Sequence, residues 1–178
     1  LRTRPCLDTF EPRDGCLLVG EQAKKIYVHK QSLASQSPYF EKLFFADCKE
    51  TNMGEIALKC VEYEEFSNLL RMIYGMETPP LSDDDVHKLL AFADQFGLKI
   101  VEDRVVSYLL SSSSRFSIHQ KLLIAERHKI LFFKAKLIAI YTKAQLEELS
   151  ESPEWDELSK ETTRALFKRR CEIERAED

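Results

Sequence analysis

The side chains that do most enzyme chemistry are thinly spread in this chain. Its four histidines, His29, His87, His119 and His128, lie far apart and none sits beside a cysteine in sequence. The cysteines are Cys6, Cys16, Cys48, Cys60 and Cys171, an odd number with no Cys-x-x-Cys pair. That pattern argues against a secreted disulfide framework or a structural zinc site, and for free thiols in a reducing compartment, cytoplasmic or nuclear. A nucleophilic pair of Cys48 with His29 requires the fold to unite them and a third group to orient the imidazole, and nothing nearby in sequence supplies one. His29 is better read as a buried histidine hydrogen-bonded to backbone between a strand and a helix. The five glycines are scattered, so no phosphate-cradling loop is present, and no His-Glu-x-x-His pattern occurs. The basic triplet Lys168-Arg169-Arg170 has the composition of a nuclear signal or phosphate patch, but Glu172, Glu174 and Glu177 follow at once, which favours a solvated helix face. No cofactor, metal or catalytic residue is expected, and the chain is not expected to be an enzyme.

What remains is a chain built to pack and to bind. It has 178 residues, 44% apolar and 31% charged, with a net charge of −4 spread along its length. A diffuse weak negative charge does not supply the clustered Lys and Arg that nucleic acid or an anionic membrane requires. No apolar run approaches the ~20 residues of a membrane span. The N-terminus is broken by Arg2, Arg4, Asp8 and Glu11 and has no signal-peptide pattern. Because the first residue is Leu1, the chain is expected to be a piece of a longer protein.

The elements that position the polar groups follow from periodicity. Residues 1–13 form a polar lead-in with Pro5 and Pro12. Residues 15–19 and 25–28 are short apolar runs flanking Gly20-Glu21-Gln22-Ala23, which reads as a β-hairpin. A short helix over 29–35 comes next. Ser37-Pro38 then supplies an N-cap and a first-turn proline for a helix with Phe40, Leu43 and Phe44 on one face. Residues 55–59 alternate as a third strand. Residues 62–74 form an amphipathic helix with Phe66, Leu69, Leu70 and Ile73 at helical spacing, ended by Gly75. Ser82 and Asp85 open the next helix as a capping box, its stripe being Val86, Leu89, Leu90, Ala93 and Phe96, and Gly97 stops it. A helix over 98–110 leads to Ser111-Ser112-Ser113-Ser114, the expected domain boundary. Beyond it Ser117 and Gln120 cap another helix, 131–141 is apolar and helical, and Ser152-Pro153 starts a last helical region with Trp155 and Leu158. The charged end, from about Lys168, is expected to fray. The order implies a mixed α/β unit, a small sheet of three or more strands packed on helices, followed by an all-α annex.

The stretch Ile26-Tyr27-Val28-His29-Lys30-Gln31-Ser32-Leu33-Ala34-Ser35, within residues 14–110, resembles the strand-to-helix signature of the BTB/POZ domain family. Ser37-Pro38-Tyr39-Phe40 with Leu43-Phe44 resembles its next helix, and Phe66 with Leu69-Leu70 and Ile73-Tyr74 the helix closing its middle third. Leu89-Leu90-Ala91-Phe92-Ala93-Asp94-Gln95-Phe96 resembles the paired helices at its end. Residues 115–175 resemble, by helix pattern, the three-box or BACK extension that follows BTB domains in cullin adaptors. The phrase from His29-Lys30 to Phe44 is similar to that of MATH-BTB adaptors, in which a substrate-binding MATH domain precedes the BTB domain.

The resemblance implies a substrate adaptor that joins a target protein to a cullin of the third type in a RING ubiquitin ligase. The family's cullin motif is apolar-x-Glu just after the helix holding Phe40 and Phe44. Cys48-Lys49-Glu50 stands there, with Phe45 nearby. Cys48 departs from the usual Met, Leu or Phe, and losing two CH₂ equivalents costs about 1.6 kcal/mol at most. The resemblance further implies a homodimer with Asp14, Lys30 and Ser32 near its interface. This dimer is expected to be weak, because residues 1–13 lack the usual exchanged helix and Ser32 replaces Val or Ile with a hydroxyl that would be unpaired. The alternatives are a BTB transcription regulator and a channel-type oligomerisation domain, whose zinc fingers or membrane spans would lie outside this chain. The substrate protein cannot be read from these residues.

Overall fold

The computed structural model describes residues 14–45, 55–59 and 61–177. The first strands are β1 (Gly15–Val19) and β2 (Lys24–Val28), paired antiparallel with Gly15 opposite Val28 and Val19 opposite Lys24. The turn between them needs a left-handed residue at Gly20, where φ is 74°, a conformation glycine adopts without steric cost. Two helices follow, α1 (Lys30–Gln36) and α2 (Pro38–Phe45), and carry the chain over to β3 (Glu55–Leu58). β3 lies parallel to the other edge of β1, so the sheet order is β2-β1-β3. Period-2 alternation sets the faces: Leu17, Val19, Ile26, Val28 and Leu58 are buried, while Lys25, Tyr27 and Glu55 point outward.

The remaining helices of this part are α3 (Tyr63–Ile73), α4 (Asp83–Phe96) and α5 (Lys99–Leu110). Leu33, Phe40, Phe44, Phe66, Leu70, Ile73, Leu90 and Phe96, the side chains the spacing assigns to the core, are all buried. Their centre is aromatic: Phe40 stacks on Phe96 at 5.4 Å between centroids, and Phe66 meets Phe96 edge-on at 6.2 Å. The caps fall where the sequence places them. The Asp85 carboxylate accepts the Ser82 backbone N–H at 2.9 Å, and Gly97 ends α4 with φ 64°. A β-carbon at Gly97 would also lie 3.3 Å from Pro38 Cδ, so both backbone and neighbour call for glycine.

The second part is all helix: α6 (Ile118–Arg127), α7 (Leu131–Ile140), α8 (Lys143–Ser150), a short 3-10 helix (Pro153–Glu157) and α9 (Lys160–Glu177). Among the described residues the structure thus holds a three-stranded sheet and nine α helices, the mixed α/β architecture expected. By internal packing the chain divides into Leu1–Val105 and Val106–Asp178. Two details differ from expectation. Helix α8 has no counterpart among the expected elements, although Thr142 and Gln145 cap it with a box like that of Ser117 and Gln120. The charged end does not fray at Lys168: α9 runs on to Glu177, and ion pairs one turn apart line it, Arg170 to Glu174 at 3.1 Å among them.

One carboxylate ties the second part together. Glu126, at the end of α6, accepts the Ser159 N–H at 3.1 Å, the Thr162 hydroxyl at 2.7 Å and the Lys134 ammonium at 2.9 Å. Burial pushes its pKa up, but the hydrogen bonds from Ser159, Thr162 and Lys134 outweigh it and hold the carboxyl at about 2. A depressed carboxylate pKa contributes stability that is complete above the unfolded value, near 4.5, and is lost as pH falls toward 2. Glu126→Gln should therefore lower stability at pH 7 by on the order of 2 kcal/mol, with the gap to the unmodified chain closing below pH 4.5. Denaturant unfolding across pH measures this, and a gap that does not change with pH contradicts it. In the first part, Leu70→Ala should cost ~2–5 kcal/mol through lost transfer energy and a residual cavity. A loss under ~1 kcal/mol in the same measurement would place Leu70 on the wrong helix face.

Candidate protein-binding surface

The described candidate residues, Asp14, Lys30, Ser32 and Phe45, fall at the two ends of the α1–α2 pair. At the start of α1, His29 is the N-cap: its Nδ1 accepts the Ser32 backbone N–H at 3.1 Å, satisfying one of the orphan donors of the first turn. Its own backbone N–H donates to the Tyr74 hydroxyl at 3.2 Å. Burial raises the Tyr74 pKa, with the His29 N–H opposing that rise. His29 is thus a positioning residue for α1, bonded to backbone as the sequence indicated but half-buried rather than buried, since it stands at the exposed start of a helix. Cys48, the nucleophilic partner that the sequence argued against, lies outside the described residues.

Asp14 and Lys30 do come together, but through the backbone. The Asp14 Oδ1 accepts the Lys30 N–H at 2.7 Å, at the N-terminus of α1, where a carboxylate also complements the helix dipole. The Lys30 side chain packs over Gly15, where a β-carbon would fall 2.9 Å from Lys30 Cγ. Ser32 corrects an expectation: its hydroxyl lies 2.7 Å from His29 Nδ1 and is therefore paired, so no unsatisfied hydroxyl weakens an interface there.

At the far end of α2, consecutive phenylalanines divide their roles. Phe44 is buried and stacks 5.9 Å from Phe40, whereas Phe45, the next residue, is 54% exposed. An exposed aromatic side chain at a helix end is the kind of anchor protein interfaces use. Cys48 and Glu50 follow it in sequence but lie outside the described residues. The start of α2 is fixed by a side chain. The buried Ser37 hydroxyl accepts the Phe40 N–H at 3.1 Å and donates to the Phe96 carbonyl, which locks the start of α2 against the end of α4.

Sequence reasoning missed Tyr74 as the support of His29, since the two are 45 positions apart. It also missed the exposed apolar residues Leu131, Phe132 and Ile140 of α7, because an apolar helical run reads as core. Among the described residues, no group of three His, Cys, Asp or Glu is arranged to hold a metal ion, and no helix is long and apolar enough to cross a membrane.

The first part is thus a small mixed sheet with a parallel crossover, covered by paired helices. The BTB/POZ domain model matches residues 8–113, and the chain belongs to that family. Similar proteins include three from Caenorhabditis elegans. BTB and MATH domain-containing protein 38 is 28% identical over 161 residues, covering 90% of this chain and 41% of that protein. Protein 15 of the same series is 29% identical over 126 residues, covering 71% of this chain and 44% of that one. Protein 45 is 29% identical over 165 residues, 86% of this chain and 34% of that one. The chain therefore spans less than half the length of these relatives.

Proposed function

We propose that this chain is the cullin-docking part of a ubiquitin-ligase substrate adaptor, joining a target protein to a cullin of the third type and so to protein ubiquitination. The observation that carries the reading is membership of the BTB/POZ family beside relatives named for both BTB and MATH domains. In such an arrangement the target is held by another domain, and residues 115–175 act as a three-box or BACK-like extension of the BTB domain at 14–110. The cytoplasm or nucleus, where both ligase and free thiols belong, is the proposed location.

The proposed cullin contact is Phe45 with Cys48 and Glu50: apolar groups give a dry centre and the carboxylate an orienting charge. Calorimetry with the N-terminal domain of the third cullin should detect binding, and Glu50→Ala should weaken it by ~1–3 kcal/mol. Cys48→Met should leave affinity unchanged or raise it, because the longer side chain restores buried area. No binding by the unmodified chain contradicts the adaptor reading.

A weak homodimer is part of the proposal, with Asp14, Lys30 and Ser32 near its interface. All three are engaged within the chain, the Asp14 carboxylate by the Lys30 N–H and the Ser32 hydroxyl by His29. They therefore present an ordered α1 start rather than unpaired groups. Sedimentation equilibrium should give a mass that rises from one chain toward two with concentration. A monomer throughout contradicts the dimer, and a tetramer favours a channel-type oligomerisation domain.

A further inference from the structure

Helix α7 departs from the usual arrangement of an amphipathic helix. Such a helix buries its apolar stripe and turns a polar face outward. α7 buries Phe133 and Leu137, yet its other side is also apolar. Leu131 is 68% exposed and Phe132 75% exposed. Leu131, Ala135 and Ala139 follow at successive turns, all exposed, with Ile138 half-buried beside them. Contiguous exposed apolar surface of this kind marks an interaction site.

The stripe forms one wall of a groove of about 450 Å³ whose other wall is α9. Ala135, Ala139 and Ala165 line it. Small side chains there let a further helix approach closely. The lip from α9 carries charge. Of the lining cations, Lys134 is already paired to Glu126 at 2.9 Å. That leaves Lys168 and Arg169. The Arg169 guanidinium has one long carboxylate contact, 3.9 Å to Glu172, and its buried Nε has no acceptor among the described residues. Glu161 and Glu172 also line the groove, and Glu161 sits in the first turn of α9, where it complements the helix dipole.

We infer that the α7–α9 groove docks an amphipathic helix of a partner protein, its aliphatic stripe on Leu131, Ala135, Ile138 and Ala139 and one carboxylate on Lys168 and Arg169. An arriving carboxylate meets the part-exposed Arg169 side chain beside Lys168, where the existing contact to Glu172 is long at 3.9 Å. The two glutamates on the same lip limit the occupant to that one acidic position rather than an acidic run. This site is independent of the cullin reading and lies wholly within α7 and α9.

The test is a display selection of 18-residue helix-forming peptides on the full 178-residue chain, followed by titration of the enriched peptide. Enriched sequences should carry aliphatic residues at i, i+4 and i+7 with one flanking Asp or Glu. Ala135→Arg should weaken the peptide at least tenfold, and Leu131→Glu, at an exposed position that lines the groove, gives a second reading if that variant does not fold. Selection repeated on Arg169→Glu should replace the acidic residue with Lys or Arg. Binding of the cullin N-terminal domain, measured on the same variants, should not change. Absence of enrichment, enriched peptides indifferent to Ala135→Arg and Leu131→Glu, or peptides without an acidic position would overturn the inference. So would self-association of the chain abolished by Ala135→Arg, which would make a second copy the occupant, or loss of cullin binding in the folded groove variants.

Discussion

The geometry of the first part depends on one buried hydroxyl. Ser37 stands between α1 and α2 and is almost wholly shielded from water. Its oxygen accepts from Phe40 at the start of α2 and donates to the last carbonyl of α4. An unpaired buried polar group is costly, so the hydroxyl has a strong preference for the one arrangement that satisfies both bonds. That arrangement brings Phe40 onto Phe96 and sets Phe44 behind them. With Phe44 fixed inward, helical geometry turns Phe45 outward, and the segment holding Cys48 and Glu50 starts from a defined point. Gly97 completes the constraint, because a side chain there would press on Pro38 just as α2 begins.

The same economy operates at the other end of the helix pair. His29, Asp14 and Ser32 combine to finish the first turn of α1, and Tyr74 of the α3 end supports His29. Polar residues in this neighbourhood look like a site in sequence, and in the folded chain their first duty is to satisfy a helix end. A surface can still form on them, since Asp14 is exposed and Lys30 half-exposed, but they present a preorganised shape rather than reactive groups.

Local patterns were legible. Apolar residues three and four apart named the buried faces of α2, α3 and α4, and the Ser82 and Ser117 boxes marked helix starts because a cap is a contact between near neighbours. Long-range bonds were not: Ser37 meets Phe96 across 59 positions, and nothing in either residue's surroundings announces the other. Helix α8 escaped notice because Leu146 and Leu149 alone are buried in it, too few to set a period. The α7 stripe escaped for the opposite reason. Its apolar residues surround the helix, so pattern alone cannot say which side lacks a neighbour. For the candidate cullin contact, Phe45, Cys48 and Glu50 all rest on family resemblance.

The central claim is that the end of α2 and the residues after it receive a cullin. Hydrogen–deuterium exchange of the chain, alone and with a saturating N-terminal domain of the third cullin, tests it most directly. The account predicts slowed exchange in peptides spanning α2 and residues 46–54. Binding without protection of that stretch, or protection confined to other segments, would contradict it.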